Sequence, residues 1–112
     1  TVILELMATW CSACKSQIPF FQDLDTIRGN EIVIIALSVD ISETPAMMAD
    51  YKVTEAFDWD CGVEDEGTFS EYLNVNLIPT ILIIDPNGLL RWMHEGTWNS
   101  LSMNNTLTSL GL

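Results

Sequence analysis

ATWCSACKSQIP, residues 8–19, sets two of the chain's three cysteines, Cys11 and Cys14, one helical turn apart between Trp10 and Pro19. That spacing admits a redox pair, half of a metal site or an accident of composition, and the flanking sequence has to discriminate among them. Upstream, TVILELM (1–7) is apolar nearly throughout except for Glu5 and reads as a buried strand. Downstream, SACKSQIPFFQDLDTI (12–27) reads as a helix stopped by Gly29 and Asn30. EIVIIALSVD (31–40) is a β-branched strand with too little polar alternation to face water. Strand, helix and strand make a βαβ unit, whose parallel strands require a right-handed crossover.

The remainder carries weaker signals. PAMMADYK (45–52) opens with proline at a first helical position, after Ser42 and Thr44 as candidate caps. AFDWDCG (56–62) reads as a short extended piece, and EDEGTFSEYLN (64–74) as a helix with acids at its N-terminal end. TILIID (80–85), the turn PNG (86–88) and LLRWMHEG (89–96) read as an antiparallel hairpin. A last helix spans about Asn99 to Leu110 and stops at Gly111. The order βαβ, helices, ββα predicts an α/β fold with a mixed central sheet of about four strands, flanked by helices on both faces.

Composition bounds the function. At 112 residues and 48% hydrophobic, the chain fits one small domain with its own core. A formal charge of -12 argues against nucleic acid and against anionic lipid as partners. Three cysteines cannot make a stapled framework, so at most one pair closes. No uninterrupted apolar run is long enough to span a bilayer, so no membrane contact is expected of this domain itself. Thr1 opens directly into VILEL without leader, linker or initiator methionine, as expected of a domain cut from a longer chain, and an N-terminal anchor has room to precede it.

A thiol attacks a disulfide as its thiolate, and a helix N-terminus stabilises that anion through free amides and the helix dipole. Cys11 falls where a strand ends and a helix begins; Cys14, one turn on, lies on the same helix face and can close or resolve a disulfide. Cys11 is therefore expected to titrate below the reference of about 8.5 and to attack first. Glu5 is a lone carboxylate in an apolar strand, with Leu4 and Leu6 pointing to the opposite face, so its side chain is expected to be buried near the sulfurs. A structural zinc needs four converging ligands, and only Cys61 and His94 remain to complete one, so no metal site is assigned. Cys61 reads as a small buried hydrophobe and His94 as a polar residue on an outer strand. Met47, Met48, Trp92 and Trp98 read as packing or surface residues.

WCSACK, the acid at Glu5, Pro19 in the following helix and the segment Ile78-Pro79-Thr80 before a strand together resemble the thioredoxin superfamily. The long stretch between the cysteines and Pro79, with an insertion at about 41–75, looks like the TlpA/ResA-type thiol-disulfide oxidoreductases, and the resemblance covers nearly all of residues 1–112. It implies a thioredoxin-like fold, a cis-proline at Pro79 packed against the cysteines, and a helix kinked at Pro19. It also implies Cys11, Cys14 and Glu5 as catalytic residues, with Trp10, Ile78 and Pro79 binding substrate. No cofactor beyond a redox-active Cys11–Cys14 disulfide is implied. Two departures stand out: the β-hairpin that usually precedes the first strand in that branch is absent, and the dipeptide between the cysteines is Ser12-Ala13, without proline. Ser12-Ala13 brings no cation to the thiolate, so the pair is expected to be reducing. The function implied is a monomeric oxidoreductase that exchanges electrons with protein disulfides or dithiols and an upstream donor. Its relatives commonly work outside the cytoplasmic membrane, tethered to it; a cytoplasmic thioredoxin role is the alternative. A different class, a thioredoxin-fold copper carrier, would hold Cu(I) between Cys11 and Cys14 with a methionine or His94. It ranks second, because such carriers usually show CxxxC. The PxxxTxxC pattern of peroxiredoxins is absent before either cysteine.

Overall fold

The computed structural model describes residues 1–65 and 67–112. Along the chain run β1 (Val2–Met7), α1 (Ser12–Arg28), a 3-10 turn (Gly29–Glu31), β2 (Val33–Ser38), α2 (Pro45–Glu55), β3 (Asp60–Val63), α3 (Thr68–Tyr72), β4 (Thr80–Ile84), β5 (Leu90–Glu95) and α4 (Ser100–Ser109). The strands form one sheet in the order β3-β2-β1-β4-β5. β1, β2 and β3 are parallel, while β4 runs antiparallel to both β1 and β5.

The sheet therefore has five strands where the sequence pattern indicated about four. The additional strand is β3, only four residues long, which is too short to show a periodicity and exists because the free edge of β2 pairs with it. The helix expected over 64–74 is also shorter: α3 covers Thr68–Tyr72, and residue 66 lies outside the described residues. Thr44 caps α2 by accepting the Met47 N–H, whereas Ser42 donates to Asp40 instead. The chain stays helical through Pro19, so α1 continues to Arg28 although one backbone donor is missing. In the hairpin turn, the Asp85 carboxylate accepts the N–H groups of Asn87 and Leu89 at 2.9 and 3.0 Å, and Gly88 takes φ +82°, where a side chain would be strained.

Helix α1 buries Cys14, Gln17, Ile18, Phe21 and Leu24, a three- and four-residue spacing that makes one stripe. That stripe lies on the sheet face carrying Ile3 and Met7, and α4 adds Met103 and Leu107 beside Phe21, Ile81 and Ile83. The opposite face of β1 packs Leu4 and Leu6 against Leu82, Leu73 and Val75. Burial of Phe21, Leu6, Ile81 and Ile83, at roughly 1.5–3 kcal/mol per large side chain, is the main favourable term.

Two polar ties orient α4. The Arg28 guanidinium donates to the Asn104 side chain and backbone and to the Leu112 carbonyl, 2.7–3.1 Å away. The fully buried Gln17 amide makes a two-way bond with the Trp98 backbone: Nε2 donates to the carbonyl at 2.9 Å and Oε1 accepts the N–H at 2.7 Å. Gln17→Leu keeps the volume but strands both Trp98 groups away from water. We expect a loss of about 2–6 kcal/mol, read by chemical denaturation, at one to three per orphaned group.

Candidate active site

Where β1 ends, the chain turns at Thr9 and Trp10 and enters α1 with Cys11 as the N-cap residue, φ -83° and ψ 111°. The cap acceptor is the cysteine sulfur itself: the Cys14 N–H donates to Cys11 Sγ at 3.1 Å. An anion on that sulfur would be met by a helix amide and the positive end of the dipole. Cys11 and Cys14 form a disulfide, with Cα atoms 5.2 Å apart. Cys14 is fully buried, while Cys11 retains 6% exposure. Of the two sulfur-bearing residues, Cys11 is thus the one open to solvent.

The loop before β4 closes over this sulfur. The Ile78–Pro79 peptide bond is cis, and the Ile78 carbonyl oxygen lies 3.8 Å from Cys11 Sγ. Ile78 packs against the cluster that holds Cys11, Cys14, Met7 and Ile18. Trp10 stands out into solvent at 67% exposure, held by its indole N–H, which donates to Asp40 Oδ2 at 2.7 Å.

Glu5 sits in the middle of β1, in register with Ala36 of β2 on one side and Ile81 of β4 on the other. It shares a sheet face with Met7, two residues on, and so faces the layer that contains both cysteines. Only 3% of the residue is exposed, and among the described residues no hydrogen bond reaches its carboxyl. Desolvation therefore acts unopposed and pushes its pKa up from 4.5 to about 8. Tyr51 of α2 belongs to the same cluster. Burial, and then the nearby Glu5 carboxyl, push its phenol upward, and its hydroxyl has no partner among the described residues.

The residues considered for a metal do not gather. Cys61 on β3 is a free, half-buried thiol two strands from Glu5, pushed up by burial, with Sγ 3.5 Å from the Met48 carbonyl. His94 lies on β5, two strands to the other side, stacked on Trp98 with ring centroids 4.4 Å apart.

Three residues near the pair escaped the sequence reading: Asp40, Glu43 and Tyr51. Glu43, 7% exposed, accepts the Thr9 N–H at 3.0 Å, the Thr9 hydroxyl, and the Ser38 hydroxyl at 2.6 Å. The available signal was positional. SVD ends the strand parallel to β1, so its following loop must lie on the same sheet edge as the Thr9–Trp10 turn.

A buried cysteine pair, closed as a disulfide at a helix cap, faced by a cis-proline loop and backed by a buried acid, defines a thiol-active domain on a thioredoxin-type sheet. The family profile described as Thioredoxin-like matches residues 1–90. The chain belongs to that family. It is similar to the thioredoxin-like protein YneN of Bacillus subtilis, 24% identical over 95% of this chain and 62% of that protein. It is also similar to the thiol-disulfide oxidoreductase ResA of Oceanobacillus iheyensis, 29% identical over 85% of this chain and 49% of that one. ResA-type proteins are thus among its relatives, in line with the branch the insertion indicated. The chain spans less than two thirds of YneN and about half of ResA. Among solved structures it resembles the pneumococcal exposed lipoprotein thioredoxin Etrx1 of Streptococcus pneumoniae, with a TM-score of 0.75, 24% identity, and coverage of 96% of this chain and 83% of that one.

The raised pKa of Glu5 makes stability depend on pH. Below about 4.5 the carboxyl is protonated in both folded and unfolded chains and costs nothing; between about 4.5 and 8 only the unfolded chain releases the proton, so stability is lost as pH rises. Glu5→Gln should leave stability unchanged at pH 4 and raise it progressively up to about pH 8, by an amount on the order of a few kcal/mol. Denaturant titrations of both proteins at acid, neutral and alkaline pH measure it.

Proposed function

We propose that this domain is a thiol-disulfide oxidoreductase that reduces disulfides in protein partners through Cys11 and Cys14. The observation that carries the reading is the closed Cys11–Cys14 disulfide with its outer sulfur as the cap acceptor of α1, in the layer faced by a buried carboxyl.

The cycle starts from the dithiol. The Cys11 thiolate attacks one sulfur of the partner's disulfide; that S–S bond breaks, the leaving sulfur departs as a thiolate and takes up a proton, and Cys11 is joined to the partner. Cys14 then loses its thiol proton to the Glu5 carboxylate, directly or through a water, and its sulfur attacks Cys11 Sγ. The second partner sulfur leaves as a thiolate, and two electrons have passed from the pair to the partner. A dithiol donor upstream returns the pair to its reduced form by the same exchange in reverse. Trp10 and the Ile78–Pro79 segment flank Cys11 and serve as the docking surface for the partner's chain. The disulfide pair is the redox centre, and the chemistry requires no other cofactor.

Ser12 and Ala13 bring no cation to Cys11, and the chain carries a formal charge of -12, so the thiolate is little stabilised beyond the helix cap. We place the pair with the reductants, nearer about -270 mV than about -120 mV. The site of action in this reading is outside the cytoplasmic membrane. What supports it is the likeness to ResA and to the exposed pneumococcal lipoprotein. Among the described residues no helix is long and apolar enough to cross a membrane, so a tether would come from another segment.

Variants of the pair test the roles. Cys11→Ser should abolish reduction of a protein disulfide, while Cys14→Ser should accumulate a mixed disulfide visible on a non-reducing gel; faster alkylation of Cys14 than of Cys11 in the reduced protein would reverse the assignment. In stopped-flow kinetics, Glu5→Gln should slow the resolving step by roughly a hundredfold at neutral pH, the range for a lost general base, and change the first attack by much less. The wild-type resolving rate should climb with pH toward about 8 as Glu5 ionises, and the variant should lose that rise.

A further inference from the structure

The loop between β2 and α2 grips the turn that carries the cysteines. Glu43 reaches back across this loop and accepts three donors with one buried carboxylate: the Thr9 N–H, the Thr9 hydroxyl and the hydroxyl of Ser38, the last residue of β2. An ionised carboxylate is acceptor-only, so it can satisfy all three at once. The loop is itself braced. The Glu43 N–H donates to the Asp40 carbonyl at 3.0 Å, and the Asp40 N–H to Ser38 Oγ at 3.2 Å. Thr9 precedes Cys11 by two residues, and its own secondary structure supplies no bond to fix it, since it belongs to neither β1 nor α1.

We propose that Glu43 is a positioning residue for the Cys11–Cys14 pair, clamping the Thr9–Trp10 turn to the end of β2 so that Cys11 stays at the helix cap, and opposing a second negative charge on Cys11 so that the pair stays reducing. The proposal rests on the oxidoreductase reading above. Glu43 is held against Thr9, two residues before Cys11, where a fixed negative charge disfavours a thiolate, and a less stable thiolate means a more readily oxidised dithiol. The other charged or titratable groups around the pair are Lys15 on α1, which is paired with Glu55 at 3.8 Å, Asp40 on the same loop, Glu5 on β1 and Tyr51 on α2. None of them bonds Thr9.

Glutamine separates the two effects. In Glu43→Gln, Oε1 can still accept the Thr9 N–H and the Ser38 hydroxyl while Nε2 donates to Thr9 Oγ1, so shape is kept and charge removed. Glu43→Ala removes both. Equilibrated against a glutathione buffer, both variants should shift five- to tenfold toward the dithiol form, tenfold being about 30 mV. In single-turnover kinetics, alanine should slow the first attack by about tenfold or more, as a misplaced reacting group does, and glutamine should restore most of that rate. A glutamine variant with the wild-type equilibrium overturns the proposal. So does an alanine variant with the wild-type first-attack rate, or a loss in both variants that only follows a lower melting temperature. A wild-type protein that equilibrates with glutathione yet reduces no protein disulfide would defeat the functional reading instead, and the comparison of Glu43 variants against glutathione would still be readable.

Discussion

A strand buried on both faces and paired on both edges leaves a side chain at its centre little contact with water, and β1 is such a strand. It bonds β2 in parallel and β4 in antiparallel register, and its residues from Ile3 to Met7 are all buried. Four of them are apolar and stabilise the two core layers. The fifth, Glu5, is kept where its charged form is poorly solvated. The rest of the domain is arranged around that strand: its C-terminal end delivers Cys11 to the start of α1, and its two neighbours supply, at the same edge, the Asp40–Glu43 loop and the Ile78–Pro79 loop.

The chemistry at that edge is asymmetric by construction. The outer sulfur has a helix amide and a sliver of exposure; the inner sulfur is fully buried, in the layer that a carboxyl with an elevated pKa faces. Helix dipole and amide favour an anion at Cys11, whereas desolvation disfavours one deeper in. Two chemically alike cysteines are thereby given different electrostatic surroundings. The acidity of the chain as a whole works in the same direction as Glu43, against accumulated negative charge at the pair, although at long range it is screened.

Polar groups inside the domain are used sparingly and mostly against backbone. Gln17 holds the Trp98 peptide, Arg28 holds the end of α4, and Asp85 shapes the hairpin turn. Each joins segments whose strand or helix bonding leaves a group free, so each does for the fold what Glu43 does for the cysteine turn. Tyr51 stands apart, its hydroxyl buried without a partner among the described residues, near the Glu5 carboxyl.

Elements with a local signature of their own were legible in the sequence: the apolar run of β1 broken only by Glu5, the helix after Cys11 with its stop at Gly29 and Asn30, the hairpin about PNG, and the Cys11–Cys14 spacing at a strand-to-helix junction. Local sequence decides these because strand and helix patterns, caps and turns act over a few residues. Tertiary structure alone decided the rest. β3 is a strand because β2 offered an edge, α3 is shorter than its pattern, and Glu43 and Thr9, 34 residues apart, meet because parallel strands bring their following loops to one edge. The same holds for Gln17 and Trp98, 81 residues apart. A carboxylate or amide in a loop has the same local signature whether it ends in solvent or closes on a distant backbone, and only the packing of the sheet selects between them.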